Sequence, residues 1–172
     1  MATYRLIETA TVGSGGAASI AFTSIPQTYT DLMMVMSIRT NRASVADYAA
    51  VSFNSSTSSF SLRLLTGNGS TASSNSYTTS PDSRIVGQAV SDSSTASVFS
   101  NGSLYIPNYA SSNYKSYSFD ATRENNTSGN EMSLGAGLWS DTAAITSIAI
   151  TSWGSATLLQ YSSASLYGIS KT

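Results

Sequence analysis

Roughly a third of the 172 residues are serine or threonine. A hydroxyl becomes a nucleophile only beside a base that takes its proton. The chain has no histidine and no cysteine, so the base would have to be Lys115 or Lys171, and a seryl hydrolase is not expected. The same absence excludes thiolate chemistry, disulfides, and zinc held by the usual histidine and cysteine ligands.

Paired carboxylates could cleave glycosides. The nearest pair in sequence is Asp120 and Glu124, in FDATRE. On one strand such a pair lies about 13 Å apart, from a rise of ~3.3 Å per residue. That exceeds the ~5.5 Å of retaining glycosidases and the ~9.5 Å upper end of inverting ones. Asp82, Asp92 and Asp141 sit in loops beside hydroxyls, but no run has the ligand spacing of a calcium loop. Gly13, Gly15 and Gly16 precede no helix, so they read as a hairpin loop and not as a phosphate cradle. The chain is therefore expected to have no catalytic, cofactor-binding or metal-binding residues and not to be an enzyme.

What remains is binding. LYIPNYASSNYKSY, residues 104–117, gathers Tyr105, Tyr109, Tyr114 and Tyr117 around a Pro-Asn turn. Trp139 and Trp153 fall at strand ends. Outward tyrosine and tryptophan anchor protein interfaces and sugar sites, whereas inward ones close the core. These six aromatics are the interface candidates.

Positioning them falls to strands. Hydrophobic residues make up 41% of the chain and charged residues only 10%, against about 25% charged in an average domain. Ten Tyr, five Phe and two Trp, at a net charge of -1, supply a core that a disordered chain would lack. Period-two alternation dominates. Ile20 and Phe22 share a face, as do Ala49, Val51 and Phe53, Leu62 and Leu64, Tyr117, Phe119 and Ala121, and Ile148 and Ile150. Candidate strands cover 3–10, 17–24, 31–40, 47–54, 59–66, 83–90, 97–107, 114–123, 131–138, 144–151 and 157–169. Turn signals about ten residues apart separate them, which implies an all-β, antiparallel sandwich or barrel of about 8–11 strands with little helix. Residues 41–48 could hold one helical turn. Residues 67–82 lose the alternation and read as a long surface loop, and 91–97 as a second loop. The whole chain, 1–172, is expected to form one domain, with 1–12 as a docking arm or edge strand.

The eight Lys and Arg residues are scattered, which argues against nucleic acid and against an anionic membrane surface. No stretch approaches the ~20 apolar residues of a membrane-spanning helix, and the N-terminus lacks the apolar region of a secretory signal. Neutral, hydroxyl-rich strand edges are an aggregation hazard for a monomer, so a homo-oligomer, dimer or trimer, is expected.

Three stretches carry a family resemblance: GGAASIAFTSIPQTYTDLMMVMSIRTN, SLYIPNYASSNYKSYSFDATRENN, and LGAGLWSDTAAITSIAITS with LLQYSSASLYGI. Together they resemble small virion structural proteins of tailed bacteriophages, particularly aquatic ones. The resemblance spans nearly the whole chain but carries over no catalytic motif. It implies a jelly-roll-like β-sandwich working by assembly within the virion. The first expectation is a capsid decoration, or cement, protein bound to the major capsid protein. The alternative is a tail-fibre or spike module that binds a receptor or a host-surface glycan.

Overall fold

A computed structural model describes residues 2–126 and 129–170; Lys171 lies outside them. The described residues form twelve strands: β1 (Thr3–Thr11), β2 (Ser19–Phe22), β3 (Asp31–Ser37), β4 (Ala46–Phe53), β5 (Phe60–Gly67), β6 (Ala72–Thr78), β7 (Ile85–Val90), β8 (Asn101–Pro107), β9 (Lys115–Arg123), β10 (Glu131–Trp139), β11 (Ile148–Ser152) and β12 (Ser163–Ser170). Among the described residues the only helical element is a 3-10 turn, Pro81–Arg84, so the turn expected within 41–48 does not form.

All pairings between strands are antiparallel and build two sheets. The large one runs β1-β12-β3-β8-β9-β10-β5-β6, and the small one β2-β11-β4-β7. Four pairings are nested: β1 with β12, β2 with β11, β3 with β8, and β4 with β7. Successive pairs alternate between the sheets, so the chain is one long folded ribbon rolled up on itself. This is the jelly-roll form of the β-sandwich. Two insertions interrupt it. β5 and β6 lie between β4 and β7, and β9 and β10 lie between β8 and β11. Both join the large sheet beyond β8.

The core fills the space between the sheets. Strands β3, β8 and β12 direct Leu32, Met34, Leu104, Ile106 and Leu166 inward, and the small sheet answers with Phe22, Val51, Ile148 and Ile150. Under the inserted strands the filling is aromatic. Phe53 lies 5.6 Å from Phe60, 5.7 Å from Tyr117 and 5.6 Å from Trp139, ring centre to ring centre. Each such contact adds about 0.5–1.5 kcal/mol beyond the area it buries. Room for these rings comes from β10. Gly135 and Gly137 pair directly with Phe119 and Tyr117 on β9, and a Cβ on either glycine would come within 2.0 to 2.1 Å of the facing ring.

Two segments depart from the expectation. Within 67–82, residues 72–78 are a strand, stabilised by pairing along β5 and by the Thr66–Ser73 hydroxyl contact at 2.8 Å. Its residues are almost all small and polar, so no apolar alternation marks it; this strand takes the number from the expected maximum of 11 to 12. The strand expected over 157–169 begins six residues later, at Ser163. Leu158 instead bridges to Ala17 and Thr40, closing that end of the sandwich.

Candidate interaction surface

The six aromatic candidates divide three and three. Tyr109, Tyr117 and Trp139 are buried, which corrects the expectation that they could form an outward binding face. Tyr109 turns under the β8–β9 loop, where its hydroxyl donates to the Pro26 carbonyl. Tyr117 and Trp139 occupy inward positions of β9 and β10, and burial raises the Tyr117 hydroxyl pKa well above its ordinary value. Tyr105 does face outward, on β8, and is half-buried. Its hydroxyl donates to Asp31 Oδ2 at 2.8 Å. Burial first, and that carboxylate second, push its pKa up to about 12. Trp153 is half-buried at the sandwich end, beneath the Arg42 guanidinium at 5.2 Å and edge-on to Tyr48. Only Tyr114, in the β8–β9 loop, is freely displayed, with 59% of its surface exposed.

Buried charge serves structure. The Asp47 carboxylate, fully buried, accepts from the hydroxyls of Thr40 (3.0 Å) and Ser152 (2.6 Å) and the amides of Tyr48 (2.8 Å) and Gly154 (3.2 Å). Arg42 completes the shell at 3.4 Å. Arg123 donates to the carbonyls of Gly129 (2.6 Å) and Asp47 (3.2 Å) and to Gln88 Oε1 (2.6 Å). Desolvation lowers its pKa, while Glu131 opposes the shift. Arg39 holds the 91–98 loop through the carbonyls of Thr95 (2.9 Å) and Val98 (2.8 Å). Each cation thus closes a loop or strand end onto the sheets.

Ser112 and Lys115 stand at Ser-x-x-Lys spacing, which on a helix puts hydroxyl and amine one turn apart. Here the segment is a loop entering a strand. Ser112 points to solvent, while Lys115 turns inward over the Trp139 ring at 5.8 Å and donates to the Asn113 carbonyl at 2.5 Å. Burial lowers the Lys115 pKa, but its proton is committed to backbone carbonyls. Among the described residues no three acidic side chains gather into a metal-binding group.

The surface that stands out is the outer face of the large sheet. Among the described residues six of the eight exposed large hydrophobics lie there: Tyr4, Leu6, Val35, Leu65, Met132 and Leu134, each between 49% and 64% exposed. They form two patches. On the jelly-roll half, the register aligns Leu6, Tyr167, Met33 and Tyr105 in one cross-strand row. On the inserted half, Leu134 pairs with Leu65, and Met132 lies beside them. Between the patches β9 presents Ser116, Ser118, Asp120 and Thr122. Sequence patterning points inward for apolar residues, so Met132 and Leu134 carry no signal of exposure until β10 is seen to turn its glycines to the core.

Comparison with known proteins returns no matching family model, no matching curated protein and no matching solved structure.

Proposed function

We propose that this chain is a non-enzymatic structural protein of a bacteriophage virion, a capsid decoration protein that grips the outer capsid lattice and its own copies. The observation that carries this reading is the concentration of exposed apolar side chains on one outer sheet face. Isolated surface hydrophobics are ordinary, but patches rimmed by polar residues mark contact surfaces. The polar stripe on β9 separates two such patches, which suits a subunit touching two neighbours. The fold supplies a two-sheet slab with one broad outer face, the geometry of a clamp. Replacing Leu134 or Met132 by Ser is expected to lower occupancy on purified particles by about tenfold without unfolding the protein. Unchanged occupancy for both, measured by quantitative gel of reconstituted capsids, removes the assignment of this face.

A second reading has its own observation. Tyr161 is 67% exposed and holds a left-handed backbone, φ 72°. That conformation is strained for a bulky residue, and little packing offsets it. The ring borders a groove with Phe99, Asn41, Gln160 and Arg39, a mixture of aromatic and amide groups suited to stacking on and hydrogen-bonding a sugar. A tail-fibre module binding a host-surface glycan would use this groove. Copy number separates the two: a capsid protein is abundant in the particle, and a tail module is present in a handful of copies.

A further inference from the structure

The two sheets have four outer edges, and three are protected. β1 carries Arg5 and Glu8 and a bulge between Leu6 and Glu8. β2 is only four residues long. β7 is buried at all six positions. Bulges, charges, short strands and coverage are the devices by which edges avoid pairing. β6 has none of them. Its seven residues, ASSNSYT, include no charge and no proline, pair with β5 without a register shift, and are exposed at every position but Tyr77.

The hydrogen-bond phase of this edge is fixed by its ends. Thr79 N–H donates to the Phe60 carbonyl at 3.1 Å, and Asn68 N–H to the Thr71 carbonyl at 3.2 Å. Antiparallel pairs alternate between bonded and non-bonded. Tyr77, Asn75 and Ser73 therefore spend their backbone groups on β5, and Ala72, Ser74, Ser76 and Thr78 direct theirs to the open side.

We infer that β6 is a homodimer edge, at which a second copy of this chain adds its own β6 antiparallel about a two-fold axis at Asn75, joining two eight-stranded sheets into one. The inference rests on the assembly reading above and names its surface. A strand without charge meets its own copy with no like-charge cost. The axis sets Ser74 opposite Ser76 of the second copy and Ala72 opposite Thr78, all residues whose N–H and C=O groups are free. The Asn75 side chains meet at the centre, where two amides can bond each other. Just behind the edge, Leu65 pairs with Ser74, so the Leu65–Leu134 patch of each copy flanks the junction.

Size-exclusion chromatography with light scattering over rising concentration tests this. The wild-type chain is expected to run as a dimer. S76P removes an outward N–H that β5 does not use, a substitution edge strands tolerate, and is expected to raise the dimer dissociation constant by about 100-fold. S74K/S76K places ammonium groups opposite one another and is expected to give monomer. S74K/S76E sets each ammonium opposite a carboxylate of the other copy and is expected to restore the dimer. Circular dichroism confirms that each variant is folded, and the two charge variants decide the matter should S76P unfold. A wild-type monomer, a trimer, or a dimer indifferent to these changes overturns the proposal. So does S74K/S76E behaving as S74K/S76K. The measurement needs no capsid, so the dimer edge and the capsid reading can fail separately.

Discussion

β9 and β10 lie side by side along nine residue pairs and follow opposite rules. β9 turns Tyr117, Phe119 and Ala121 inward and Ser116, Ser118 and Asp120 outward, the usual division of a half-buried strand. β10 turns Ser133, Gly135 and Gly137 inward and Met132 and Leu134 outward. The inversion has a steric cause. The rings of Phe119 and Tyr117 lie over β10, and only glycine leaves them room. Trp139 then anchors the phase of β10 by entering the aromatic cluster. Core packing thus displaces β10's own aliphatic side chains to the surface.

The largest effect should come from removing the anchor. Trp139→Ala is expected to cost about 4 kcal/mol, read as a fall in the urea midpoint. A loss below ~1 kcal/mol would mean that the tryptophan does not set the phase of β10. Gly137→Val comes next. Its side chain would collide with the Tyr117 ring, and an overpacking cost of about 1–3 kcal/mol is expected. A neutral result would deny the steric cause of the inversion.

Tyr117→Phe sharpens the β9 side through pH. The folded pKa of Tyr117 is raised above the ordinary 10.0, chiefly by burial. Its protonated form therefore contributes stability that is fully present below pH 10.0 and is lost as pH rises through the higher folded value. The variant should show a shallower decline of urea midpoint above that pH. Tyr105→Phe should flatten the stretch from 10.0 to about 12 in the same way. An alkaline limb unchanged in both variants would contradict the burial of these hydroxyls. The smallest effect on stability belongs to Leu134→Ser, within about 0.5 kcal/mol, because the outer face of β10 is already in water. A large loss would make that face part of the fold instead of a contact surface.

Much of the fold was legible because alternation is local. Ile148 and Ile150, or Tyr117 and Phe119, declare a buried face with no knowledge of partners. β6 was not legible, since ASSNSYT has no apolar period and becomes a strand only by pairing with β5. The aromatic candidates were half legible. Alternation sets Tyr105 apart from Leu104 and Ile106, and it does face out. The same alternation cannot tell that Tyr109, beyond the strand end, folds back beneath the loop, or that Trp139 is core.

By itself the sequence determined an all-β chain without histidine or cysteine chemistry, because composition and period two act residue by residue. Tertiary structure alone decided the nested jelly-roll pairing, the exposed aliphatics of β10 and the unguarded edge at β6. Those depend on which strand lies beside which, and on where a ring from one strand needs the space above another.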